Sequence, residues 1–162
     1  PPAALESVGP GATVFISQRY LLPEQYLPIV FQVLDEAGVG DVVFKFHPRE
    51  DRSLMRREWD RALKGHPGLR VSVPEAVQSV PVEELMMAGR VSRVIGLTST
   101  SLMYAAAFFP GVEVVSIGKR FLEVARSGSR PVSAAALAEF ERDLEVFLDV
   151  SGVVQFEGPS GR

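Results

Sequence analysis

Short apolar runs alternate along this chain with longer stretches whose apolar residues recur every three to four positions. The first run, 13–17 (TVFIS), is rich in β-branched residues and follows a Gly/Pro stretch, which predicts a strand. Leu27, Val30, Phe31 and Leu34 then recur at helical spacing. Gly38 is placed to end that helix, and Pro28 to kink it or mark its first turn. Residues 41–46 (DVVFKF) predict a second strand, closed at His47-Pro48 because proline has no N–H for the ladder. Residues 51–64 read as a polar helix with Leu54, Met55, Trp59 and Leu63 to bury. The alternation repeats: a strand over 69–73, a short helix over 82–88 opened by Pro81, and a strand over 93–97. A helix over 99–108 and a strand over 112–117 follow. A Gly/Ser/Arg loop is expected over 118–131, before a last helix with the stripe Leu137, Phe140, Leu144, Phe147. Residues 153–156 fit either an edge strand or a tail.

Five strands alternating with helices predict an α/β fold. The expected form is a Rossmann-like, doubly wound parallel sheet covered on both faces, a three-layer sandwich. Residues 1–162 show no internal repeat and no low-complexity linker, so a single domain is expected. In such sheets ligands sit at the carboxyl ends of the strands, and the strand-to-helix turns are where chemistry is to be sought.

Composition narrows the class. At 46% hydrophobic and 23% charged residues the chain can bury a real core, which excludes disorder and a collagen-like chain. No apolar run approaches the roughly 20 residues of a membrane-spanning helix, and the first residues carry neither the basic nor the apolar region of a signal peptide. The absence of cysteine excludes disulfides, a thiolate zinc site and a thiol nucleophile. A cytoplasmic location is expected. The net charge is −3, yet residues 45–70 carry eight basic residues against four acids, +4, leaving −7 elsewhere. Two readings stand: a solvated helix face of mixed charge, or a local positive field for an anionic ligand. The acids within the stretch and a pI near 5.5 argue against a nucleic-acid surface.

Several motifs are missing. No GxGxxG follows the first strand, since Gly9 and Gly11 precede it, and there is no Walker A sequence. The first strand ends in Ser17-Gln18 rather than in acids, against a phospho-receiver domain. His47 and His66 are the only histidines and form no zinc-binding pair, so no metal or other cofactor is expected.

Two turns stand out. In KFHPRE, strand alternation puts Phe44 and Phe46 on one face and Lys45 and His47 on the other. A lysine inside an apolar strand is costly unless its amine finds a partner or reaches a crevice. Lys45 and His47 together make a clamp for a phosphate oxygen. The plainer alternative is that His47 satisfies a turn carbonyl while Lys45 snorkels to solvent. In GLTSTSL, four hydroxyl residues run into a helix start, more than one N-cap requires. Free N–H groups, the positive end of the helix dipole and the hydroxyls would form an anion site. A serine nucleophile with His47 as base is another reading, but Thr100 stands where a nucleophile elbow would need glycine. Between the two turns, VPVEEL offers a carboxylate at a helix start, either a dipole partner or an acceptor for ribose hydroxyls.

The order ISQ, KFHPRE, VPVEEL, GLTSTSLMYAA, over residues 13–118, resembles the donor half of bacterial sialyltransferases and capsule polysialyltransferases. The resemblance implies one half of a GT-B glycosyltransferase, binding CMP-sialic acid through an HP motif and a later Ser/Thr pair. Carried over by position, His47 would contact the phosphate of CMP and help the leaving group depart, with Lys45 in support and Pro48 shaping the turn. Glu83, with Glu84 as alternative, would hold the ribose hydroxyls. Ser99 and Thr100, with Ser101, would bind phosphate from the helix start, and Gln18 would sit at the crevice mouth. The family's general base is an acid in an (Asp/Glu)-(Asp/Glu)-Gly motif of the other domain. Here Asp35-Glu36 is followed by Ala37. The chain is therefore expected to be the donor-binding half, to need an N-terminal acceptor domain, and not to turn over alone. The implied partners are CMP-sialic acid or a related nucleotide sugar and a glycan acceptor, without nucleic acid. The implied transfer is inverting and metal-independent. Peripheral contact with the inner membrane through the Arg-rich stretch stays open. So do a CDP-glycerol-type phosphotransferase, another nucleotide-sugar transferase, and a non-catalytic Rossmann-like binding module.

Overall fold

Val14 and Ile16 turn to one face of the first strand and Phe15 to the other, and all three are buried. Such a strand needs cover on both sides. The computed structural model describes residues 2–128 and 132–159. Among them lie six strands: β1 (Ala12–Ile16), β2 (Asp41–Lys45), β3 (Arg70–Ser72), β4 (Val91–Gly96), β5 (Glu113–Ser116) and β6 (Val154–Gln155). They form one sheet in the order β3-β2-β1-β4-β5-β6, with every neighbouring pair parallel. That is the doubly wound Rossmann order, and the direction of winding reverses between β1 and β4.

The helices are α1 (Pro2–Ser7), α2 (Pro23–Glu36), α3 (Arg52–Leu63), α4 (Glu75–Gln78), α5 (Val82–Met87), α6 (Thr100–Phe108), α7 (Gly118–Ser127) and α8 (Ala134–Ser151). On one face Phe15, Phe44, Ile95 and Leu97 pack with Leu27 and Phe31 of α2, Met55 of α3 and Phe121 of α7. Phe44 is the hub of an aromatic cluster, with ring centroids 4.9 Å from Trp59, 5.0 Å from Phe15 and 5.3 Å from Phe46. On the other face Val14, Ile16, Val43, Val94 and Val114 pack with Ala4, Val77, Leu85 and Leu102. Helix α8 serves both cores, with Phe140 and Leu144 in the first and Phe147 in the second.

The strands lie where the apolar runs predict them, within two residues at each end. Ser17 and Phe46, expected at strand ends, sit just past them, and the 153–156 segment supplies an edge strand, the sixth. Helix α2 runs through Pro28 without a break, and Gly38, at φ 69°, makes the left-handed turn after it. The main correction is over 118–131, where a loop was expected. Gly118–Ser127 is a helix, because Phe121, Leu122, Val124 and Ala125 share one buried face. Residues 129–131, the end of that expected loop, lie outside the described residues. Among the described residues no helix is long and apolar enough to cross a membrane.

Candidate functional site

Strand β2 outlasts its neighbour. The ladder with β3 ends at Val43 and Ser72, leaving the following peptides of β2 without a strand partner on that side. The side chain of Gln78 takes the vacant place. Its Oε1 accepts from the Phe46 N–H at 2.9 Å and its Nε2 donates to the Phe44 carbonyl at 2.9 Å. Buried peptide groups must be paired, and a carboxamide is the one side chain that mimics a peptide on both counts. The main chain beside it catches Lys45, whose Nζ donates to the carbonyls of Val77 at 2.9 Å and Gln78 at 3.3 Å. Burial lowers the Lys45 pKa, Arg52 adds to this, and Glu83 opposes it.

The next turn is built around His47. Its N–H donates to Glu50 Oε2, its carbonyl accepts from the Glu50 N–H at 3.0 Å, and its Nδ1 accepts from the Arg49 N–H at 3.1 Å. In the neutral ring this puts the hydrogen on Nε2. Burial lowers the His47 pKa, and the guanidinium groups of Arg49 and Arg19 push it the same way. The neutral ring is therefore favoured near pH 7. Glu50 also accepts from Ser17 Oγ at 2.6 Å, and burial raises its pKa despite these donors. Ser17 Oγ lies 3.2 Å from Tyr26 Oη, which accepts from the Gln18 N–H at 3.1 Å.

At the winding reversal, Gln18 and Thr98 join β1 to β4. Gln18 Oε1 accepts from the Thr98 N–H at 2.7 Å, and Gln18 Nε2 donates to Thr98 Oγ1 at 3.2 Å. Tyr20 Oη lies 2.7 Å from the same Thr98 hydroxyl and donates to Asp143 of α8 at 3.0 Å. Burial first, then Asp143, pushes the Tyr20 phenol up to about 12. Ser99 is the N-cap of α6, accepting from the Ser101 N–H at 3.2 Å. Gly96 lets α6 close on the sheet, since a Cβ there would lie 3.2 Å from Leu102 Cδ1 and 3.4 Å from the Ile16 carbonyl.

These turns enclose one cleft of about 380 Å³ at the carboxyl ends of β1, β2 and β4. Gln18, Lys45, His47, Pro48, Glu83, Ser99, Thr100 and Ser101, all eight residues predicted from the sequence, line it. Glu84 is exposed and is not part of the lining, so the structure separates the two candidate glutamates. Gln18 does line the cleft, but Thr98 holds both ends of its amide. Among the described residues no hydrogen bond joins His47 to Ser99, Thr100 or Ser101, as a nucleophile–base pair would need. A wider hollow, about 490 Å³, opens at the amino ends of the strands among Gly11, Asp41 and Arg70, and holds none of the predicted residues. Among the described residues no three His, Asp or Glu side chains gather as a metal site would require.

The +4 stretch is partly neutralised, because Arg52 and Arg56 pair with Glu75 and Arg70 pairs with Asp41. Sequence reasoning assigned no role to Glu50, Gln78 or Tyr26, and counted Thr98 only among the hydroxyls of the expected anion site. Glu50 stands in KFHPRE, where an acid three residues after a turn's first N–H is a readable signal. Gln78 carries no local signal.

A model of the alpha-2,8-polysialyltransferase family matches residues 11–117, about two thirds of the chain. The chain belongs to this family. The match runs from just before β1 to just after β5, so every cleft residue of the polysialyltransferase-like chain falls inside it. Membership makes it sialyltransferase-like, in a class of glycosyltransferases that take a nucleotide sugar and a glycan acceptor. No curated protein matches the chain.

Proposed function

We propose that this chain is the donor-binding half of a GT-B sialyltransferase, binding CMP-sialic acid for metal-independent, inverting transfer to a glycan. The observation that carries the reading is the convergence of all eight motif residues on one cleft at the carboxyl ends of the strands.

Transfer from CMP-sialic acid breaks the bond between the anomeric carbon and the phosphate oxygen through an oxocarbenium-like transition state, and negative charge grows on the departing phosphate. Preorganised donors lower that barrier most effectively where water is scarce. His47 offers its Nε2–H, Lys45 a partly desolvated ammonium, and α6 its N-terminal peptide dipoles with the hydroxyls of Ser99, Thr100 and Ser101. Glu83 accepts from the two ribose hydroxyls, a role suited to its place beside the cleft. Pro48 fixes the bend that brings His47 over it. Acceptor deprotonation requires a base from the partner domain, so the chain alone binds donor without turnover.

Calorimetric titration with CMP, using UMP, CDP and AMP as controls and no metal, tests this. The expected result is preference for CMP, abolished in His47→Ala and weakened in Ser99→Ala. A stronger response to CDP would favour the phosphotransferase alternative, and silence toward all four nucleotides would sink the donor-site reading for the isolated chain.

A further inference from the structure

The N–H groups of the turn 47–50 can be accounted for one by one. Pro48 has none. Arg49 and Glu50 spend theirs on His47, on Nδ1 at 3.1 Å and on the carbonyl at 3.0 Å. His47 spends its own on Glu50 Oε2. The ring therefore keeps its Nδ1 donor only while the turn stays closed, and the Glu50 carboxylate is what closes it.

That carboxylate is not itself part of the cleft lining. It borders a separate hollow together with Arg19 and Arg49, and its second oxygen is taken by Ser17 at 2.6 Å, from the turn after β1. Tyr26 of α2 backs the Ser17 hydroxyl, and Arg19 is the cation whose field reaches the site. No ion pair within 4.0 Å joins Glu50 to a cation among the described residues. Burying a carboxylate in that state is unfavourable. A neutral acceptor would close the turn at lower cost, so the carboxylate is accounted for by the stronger grip an anion has on N–H and O–H donors.

We propose that Glu50 is a positioning residue for His47: clamped by Ser17, it fixes the turn that sets the tautomer and direction of the His47 ring toward the cleft. The inference rests on the donor-site reading for its functional meaning, but not for its geometry.

The test uses the full chain labelled with ¹⁵N-histidine. Its two histidines give separate signals, and His66, paired at 3.0 Å with Asp35 in the last turn of α2, is the internal control. The wild-type His47 is expected to show the Nε2–H pattern. In Glu50→Ala that pattern should become a mixture of tautomers while His66 is unchanged, and CMP affinity should fall about tenfold or more, the scale of losing a hydrogen bond to a charged group. Glu50→Gln, which keeps an acceptor for His47 and a donor for Ser17, should restore both. An unaltered His47 pattern in Glu50→Ala overturns the proposal whether or not the wild type binds CMP. A wild type with the expected pattern but no CMP binding overturns only the donor-site reading. If Glu50→Ala fails to fold, Glu50→Asp decides, because its shorter side chain cannot span both donors and an unchanged pattern there also overturns the proposal.

Discussion

Gln18 and Thr98 meet across the line where the sheet reverses its winding, the Gln18 carboxamide accepting from the Thr98 N–H at 2.7 Å and donating to its hydroxyl at 3.2 Å. Gln18 thus acts as a brace for the turn that opens α6, and its effect on ligand passes through Thr98. Gln18→Ala leaves the Thr98 N–H without its partner and should cost about 1–3 kcal/mol of stability. CMP affinity should weaken several-fold with it. Denaturant melts and calorimetry read the two effects. A variant with unchanged stability and weaker binding would make Gln18 a direct ligand contact instead.

Glu50 gives stability a pH dependence of definite sign. Burial raises its pKa above the ordinary 4.5, so the folded chain holds the proton more tightly than the unfolded one. Its relative contribution to stability is fully present below the ordinary value and declines as pH rises through the raised one. Glu50→Gln removes the titration. Its stability relative to wild type should therefore improve on going from pH 4 toward neutrality, and parallel pH–stability curves would refute the assignment.

His47 is displaced the other way, below its ordinary 6.5, by burial and then by Arg49 and Arg19. A bound phosphate would pull it back up. Between those two values the complex holds more protons on His47 than the free chain does. Calorimetry in buffers of different ionisation heat should show proton uptake on CMP binding just above the free-chain value, fading at higher pH. The comparison is with His47→Gln, in which that contribution should vanish.

Gly118 opens α7 under strict spatial limits. A Cβ there would lie 2.7 Å from Leu144 Cδ1 and 3.3 Å from the Leu97 carbonyl. Gly118→Ala should destabilise the fold by about 1–3 kcal/mol through overpacking. Thermal melts check this, and a neutral result would mean that Leu144 repacks freely.

Much of this was legible beforehand because strand and turn signals are local. β-branched runs mark β1, β2, β4 and β5, and the hydroxyl run marks the start of α6. The cleft was legible because consecutive strand-to-helix turns of a doubly wound sheet converge without further information. Helix α7 escaped because it starts at Gly118 without a side-chain cap, and its apolar face at 121, 122, 124 and 125 is short. The pairing of Thr98 and the role of Gln78 escaped for a deeper reason. Both are contacts across 80 and 32 residues, Thr98 with Gln18 and Gln78 with Phe46, and no spacing rule along the chain reports such contacts.

Where β3 ends, at Ser72, a single carboxamide finishes the work of a strand. This makes the connection 73–77 a ruler. Surface connections ordinarily accept inserted residues with little penalty. Here one extra residue would displace the Gln78 amide from the end of β2 and the Val77 carbonyl from Lys45 together. The segment can change in composition far more readily than in length.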